Sequence, residues 1–195
     1  VSAQSQFQSQ AAVDVDEDGI GEHGWFGEMA GTVQLRVGPT YAGPPIFLDP
    51  PVLSGSLGNV QPDGTGADGM INKSGYFFKV FLPSALGAPL AEAPVGGSPG
   101  GEIANFCENT WICYGWPMDF GSSGNRCFVV NHTGDVLQTN NQAQTYSGDG
   151  SGAGDIMPAG VAAIENGSPN DIRGALSIAG RPNPANDGGL WVVVN

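Results

Sequence analysis

The side chains best placed for chemistry in this chain are carboxylates. Asp14, Asp16 and Asp18 alternate along Asp-Val-Asp-Glu-Asp-Gly, and Gly19 follows directly. Acids at alternate positions let several oxygens converge on one hard cation, and the glycine allows the tight turn that brings them round. That is how a calcium loop begins. A full twelve-residue loop is not met, because its last position falls on Trp25, which has no oxygen ligand. Glu22, at the ninth position, is the expected closing ligand. The competing reading is a solvated acidic turn that repels itself unless neutralised. Two further clusters, DGTGAD at 63–68 and DGSGAGD at 149–155, have too few ligands and read as turns.

Catalytic combinations are poor. The two histidines are His23 and His132, and no Gly-x-Ser-x-Gly elbow occurs. Carboxylates are plentiful, but without a cleft around a pair of them they do not make a glycosidase. The chain therefore reads as not an enzyme. A hydrolase using acidic residues with His23 is the weakest of three readings. Trp111, Tyr114 and Trp116 have the chemistry of a sugar platform, yet aromatic residues on strands more often form core or interface. Three cysteines, Cys107, Cys113 and Cys127, fall in one stretch with no Cys-x-x-Cys pair or histidine cluster, which argues against zinc. The simplest reading outside the cytoplasm is one disulfide and one leftover thiol, with the pairing open. Sequons stand at Asn72, Asn131 and Asn166, the last disfavoured by Pro169.

Charge narrows the partners. Against 19 Asp and Glu stand only six Lys and Arg, for a net charge of −13 over 195 residues. Such a surface repels phosphate backbones and anionic membrane surfaces, so no nucleic acid and no membrane contact is expected for the chain as given. Cations are the natural small partners. Gly (32) and Pro (15) make up about a quarter of the chain, but the apolar 40% is gathered in short runs. That pattern predicts short strands joined by long turn-rich loops. The chain opens on Val-Ser-Ala-Gln with no initiator Met, and an export signal removed upstream is expected.

The elements that must position these residues follow from periodicity. In residues 1–13, Val1, Ala3, Phe7, Ala11 and Val13 occupy odd positions, and Gln4, Gln6, Gln8 and Gln10 even ones. Alternation predicts a strand, although Phe7 and Ala11 also have helical spacing and Gln and Ala favour helix. His23–Ala30 suits a helical turn. Strands are predicted at Thr32–Val37, Tyr76–Leu82, Trp111–Trp116, Cys127–Asn131, Asp135–Thr139 and Leu190–Val194. Weaker candidates are Ile46–Leu48, Val161–Ile164 and Ile172–Ile178. Tyr76–Leu82 is apolar on nearly both faces and is expected to be central. No helix–strand alternation exists, so the expected fold is mainly β: an antiparallel sandwich, immunoglobulin-like in one form, with long Gly/Pro-rich loops. The alternative is an α+β pilin-like fold with an N-terminal helix. Residues 1–13 then form an assembly segment and residues 14–195 a single β-rich domain.

Several runs resemble bacterial prepilin-like or pseudopilin-like proteins. They are SAQSQFQSQAAVDVDEDGIGEHGWFGEMAG, SGYFFKVFLP and CYGWPMDFGSSGNRCFVVNHTGDVLQT, which together span most of residues 2–139. In that family a membrane-spanning N-terminal helix precedes the Gln-rich segment; that hydrophobic helix is absent from this sequence. The resemblance implies a structural subunit of an extracellular, cell-surface filament, a homopolymer of copies of itself. Assembly is expected to run through Val1, Ala3, Phe7, Ala11 and Val13, either by donor-strand exchange or as the end of a pilin helix packed on its own sheet. A monomeric, calcium-stabilised, secreted glycan-binding module using Trp111, Trp116 and Tyr114 is the alternative.

Overall fold

The computed structural model describes residues 1–168 and 170–194. The strongest strand signal becomes the centre of the fold. β3 (Tyr76–Pro83) pairs on one side with β5 (Ile112–Pro117). Its other side is shared, end to end, by β2 (Gly69–Lys73) and β4 (Pro89–Ala91). Outward from β2 lies the two-residue β1 (Gln61–Pro62). Outward from β5 come β6 (Cys127–Asn131), β7 (Val136–Thr139) and β8 (Trp191–Val193). Every pairing is antiparallel, and the eight strands form one open sheet. Among the described residues there are also three short α-helices, α1 (Ser2–Ser9), α2 (Phe26–Met29) and α3 (Ala104–Cys107), and two single 3-10 turns at Gly55–Leu57 and Ala85–Gly87.

The fold is mainly β and antiparallel, and its second layer is irregular chain rather than a second sheet. One sheet face carries Phe77, Phe81, Ile112, Tyr114, Trp116, Cys127, Val129, Leu137 and Trp191. Onto it pack Tyr146, Ala162, Ala163, Ile164, Ile172 and Leu176 from the Gly- and Asn-rich C-terminal third. The predicted strands at 161–164 and 172–178 are turns there, joined only by the isolated Ile164–Leu176 bridge. This layer meets its backbone needs through buried side chains. The Tyr114 hydroxyl donates to Gly160 O at 3.1 Å and accepts from Ala163 N at 3.0 Å. Asn141 pairs both ways with the Tyr146 backbone, and Asp187 accepts from Tyr146 Oη and Trp191 Nε1.

The N-terminal segment departs from its alternation. It folds as α1, and Phe7 is fully buried while Val1 and Ala11 are exposed. An eight-residue helix is not stable alone, and tertiary contacts fix it. Phe7 packs with Val13, Met29 and Leu35 in a small separate core. The buried Gln4 amide grips Gly24 through Nε2 to O (2.8 Å) and N to Oε1 (2.9 Å). Helical spacing wins because Gln4 and Phe7, three apart, both turn inward.

Thr32–Val37 is not a strand. Its backbone finds other partners: Leu35 N donates to Ile46 O, and Arg36 N donates to the Glu28 carboxylate. Ile46–Leu48 is likewise irregular. Strands β1, β2 and β4 lie inside stretches that read as loop.

Because the Tyr114 hydroxyl joins the sheet to the C-terminal layer by two buried hydrogen bonds, Tyr114→Phe should lower unfolding stability by about 1–3 kcal/mol. Urea denaturation followed by tryptophan fluorescence measures this. An unchanged midpoint would show that the two bonds hold nothing.

Candidate functional site

The acidic loop lies between α1 and α2, anchored by two buried carboxylates that take no part in the aspartate cluster. Glu22 was the expected closing ligand, and the structure places it elsewhere. It is 1% exposed, accepts Val15 N at 2.9 Å, and meets Arg36 Nη1 at 2.7 Å. Glu28, also buried, accepts Trp25 N and the Arg36 Nε and backbone N, each at 3.0 Å. The remaining Arg36 nitrogen donates to His23 O at 2.5 Å. Glu22 is thus a structural counter-ion. Its carboxyl is pushed above the ordinary value mainly by burial, with Arg36 pulling it back.

Asp14, Asp16 and Asp18 do come together. One oxygen from each lies within 4.8 Å of the others, near the surface. Asp14 accepts Asp18 N (3.1 Å) and Gly19 N (3.0 Å), while Asp18 accepts Ile20 N (2.8 Å). Gly19 has φ +90°, a conformation that glycine adopts freely. Asp16 is held from outside the loop by Asn105 Nδ2 at 2.5 Å, which joins the loop to α3. Oxygens so gathered suit a hard divalent cation. Glu108 caps α3, three residues beyond Asn105. It is 7% exposed, and its Oε1 is buried without a hydrogen-bond partner. Burial and then the charges of Asp18 and Asp16 raise its pKa.

The other candidates distribute differently. Trp111, Tyr114 and Trp116 are all buried, and they face two different cores, so they form no sugar platform. His23 is buried beside Trp111, and burial drives its pKa down to about 4. All three cysteines are free thiols. Cys107 and Cys113 lie on one side of the sheet and Cys127 on the other, so a bridge to Cys127 would have to cross the sheet. Burial pushes Cys107 and Cys113 up to about 12. Of the sequons, Asn131 is buried, and Asn72 and Asn166 are exposed.

The second face of the sheet carries a feature that no motif signalled. Part of it is covered by Trp25, Cys107 and Trp111 against Val80 and Leu82. The rest is an open groove of about 370 Å³, lined by Tyr76, Phe78, Cys113, Phe128, Val130 and Val136 and almost wholly apolar. The N-terminal end of α1 reaches its rim, with Val1 beside Gly134 in the β6–β7 turn. The terminal amino group is close enough for its charge to bear on Cys113. No protein-family model, curated protein or solved structure matches this chain.

A third buried carboxylate fixes the entry to α2. Glu92 accepts Gly27 N (2.9 Å) and Gly97 N (2.8 Å) on one oxygen and Phe26 N (3.1 Å) on the other. Burial outweighs these bonds and lifts it from 4.5 to about 7. The folded chain then holds a proton that the unfolded chain has released, so this contribution is full below pH 4.5 and lost as pH rises to about 7. Relative to Glu92→Gln, wild-type stability should fall by about 3 kcal/mol across that window. Denaturant titrations at pH 4.5, 5.5 and 7 measure the difference, and a constant difference would show that Glu92 stays ionised throughout.

Proposed function

We propose that this chain is a structural, non-enzymatic subunit of an extracellular bacterial filament, built from copies of itself and assembled through its N-terminal segment. The observation that carries this reading is the uncovered apolar groove at the N-terminal end of α1. An apolar face of this kind is costly to leave in water and marks an interaction surface. An apolar helix leading into α1 would run from Val1 along Val130, Val136 and Cys113 towards Phe128, Phe78 and Tyr76. That helix is the occupant we assign to the groove, seated as helices seat in apolar grooves.

Three further features support the reading. The surface is poor in cations, which disfavours nucleic acid as a partner. Trp111, Tyr114 and Trp116 are buried in cores rather than offered to a glycan. The aspartate cluster adjoins the segment assigned to assembly, and calcium bound there would brace it. Donor-strand exchange, the other route the alternation suggests, would first have to unwind α1 and pull Phe7 and Val13 out of their own core. Each is a side chain whose burial contributes about 1.5–3 kcal/mol. We therefore assign assembly to a helix.

Electron microscopy of the purified protein, with any naturally preceding sequence retained, tests the proposal. Filaments are expected, and Val130→Asp should abolish them while leaving a folded monomer. Phe7→Asp separates the two routes. Helical packing predicts a destabilised monomer, with a melting temperature lower by several degrees. Exchange predicts the same destabilised monomer but no filaments, whereas helical packing leaves the filaments in place. Only monomers in the wild-type preparation would overturn the filament reading.

A further inference from the structure

The turn between β1 and β2 holds a buried carboxyl against a buried amine. Lys79 lies on the central strand β3, opposite Tyr114 on β5, and shares the main-core face with Phe77 and Phe81. It is 3% exposed, and Asp63, directly after β1, is 4% exposed. Lys79 Nζ stands 2.6 Å from Asp63 Oδ2. A second carboxylate reaches the same amine: Asp68 Oδ2 lies at 3.0 Å, on a side chain that is 40% exposed. The turn is fixed around them, since Asp63 N donates to Asp68 O and Gly64 N to Asp149 O, each at 2.8 Å.

The other Asp63 oxygen is held separately. Oδ1 accepts Thr65 Oγ1 at 2.6 Å and Thr65 N at 3.0 Å. Those donors face the oxygen on which negative charge would gather if a nucleophile attacked Cγ. The group thus supplies a nucleophile, an electrophile with two donors on its carbonyl oxygen, and a second carboxylate able to move protons. Burial pushes the Asp63 carboxyl up, but the hydrogen bonds from Lys79 and Thr65 outweigh it and hold it below its ordinary value. The starting state is therefore an ammonium–carboxylate pair, and keeping such a pair out of water is costly. Condensation to a neutral amide removes both charges and leaves that of Asp68, which reaches water.

We propose that Lys79 and Asp63 condense in the folded chain to an isopeptide bond, Nζ to Cγ, with Asp68 as the proton carrier. Nζ first passes a proton to Asp63 Oδ2, which gives an amine and a carboxylic acid. The amine attacks Cγ, and the two Thr65 donors hold the Oδ1 anion that forms. Asp68 takes one proton from the attacking nitrogen and returns it to the Oδ2 hydroxyl. The Cγ–Oδ2 bond breaks, water leaves, and Oδ1 becomes the amide carbonyl. Nitrogen has then given two of its three protons to the departing water, and Asp68 ends as it began. No cofactor or partner takes part, so the bond is independent of the filament reading. It staples the β1–β2 turn to the central strand, over the intervening β2.

Intact-mass measurement of the whole chain, folded and then denatured, tests this. The expected mass is that of the sequence less one water. Trypsin should then leave residues 37–73 joined to residues 74–126, because an acylated lysine at 79 is not cut. Lys79→Arg keeps the charge without the amine and should show the full mass of its own sequence. Asp68→Asn keeps the Lys79–Asp63 pair and should lower the joined fraction by about tenfold or more. A wild-type mass equal to that of the sequence would overturn the proposal. So would a lost water with normal cleavage after Lys79, the mark of ring closure at Asp63–Gly64. Complete joining in Asp68→Asn would overturn the role given to Asp68.

Discussion

Arg36 sits between Glu22 and Glu28 with almost no access to water, and the N-terminal third of the molecule is arranged around that contact. Burying three charges is costly, and such a group is tolerable only when nearly every donor and acceptor is used. Here they are used. Glu28 opens α2 by accepting Trp25 N, Glu22 fixes the acidic loop through Val15 N, and the guanidinium takes the His23 carbonyl. Removing the arginine would strand two carboxylates in a low-dielectric interior. Loss of one partner from a buried pair costs about 3–5 kcal/mol. The cluster also dictates what the aspartates can do. With Glu22 drawn inward, Asp14, Asp16 and Asp18 are pushed to the surface as a group, facing α3.

The same solution recurs across the sheet. Lys79, on the central strand, is buried and meets Asp63 at 2.6 Å and Asp68 at 3.0 Å. Glu92 draws in three backbone N–H groups instead of a cation. A chain with six basic residues and 19 acidic ones cannot pair its carboxylates with cations, so it uses peptide N–H groups, hydroxyls and turns. Asp187 follows this rule with Tyr146 and Trp191, and Asp155 with Gly150 and Gly152. The long loops are ordered by these acceptors, which is why a Gly- and Pro-rich third of the chain can replace a second sheet.

The sequence is legible where one physical signal dominates. The six apolar and aromatic residues of Tyr76–Leu82 require burial on both faces, and the central strand follows. The alternation in Cys127–Asn131 and Asp135–Thr139 likewise yields β6 and β7. Prediction fails where side chains from distant positions decide. Thr32–Val37 alternates perfectly, yet its backbone bonds to a glutamate carboxylate and a distant carbonyl. Residues 1–13 alternate too, but Gln4 and Phe7 gain more from Gly24 and the small core than from a sheet edge. Gly24 has no room for a Cβ, which would lie 2.7 Å from the Phe7 ring, and nothing local to Gly24 announces that contact. At the candidate cation site the aspartates are visible from spacing alone. The fate of Glu22 depends on Arg36, fourteen residues on.

The two faces of the sheet give this architecture its asymmetry. One is covered by the C-terminal layer, which is bonded to it through the Tyr114 hydroxyl. The other is half covered, and Val1 at the start of α1 reaches the edge of the open part. Along the open half, Tyr76 packs at a tilt against Phe128 and Phe78, with ring centroids 5.9 and 6.5 Å apart. Such contacts stabilise the sheet only in part, since their outer surfaces stay wet. A domain that buries Trp25, Trp111, Trp116 and Trp191 has the means to cover three more rings. Leaving them open at the mouth of its N-terminal helix is the physical argument for an interface there.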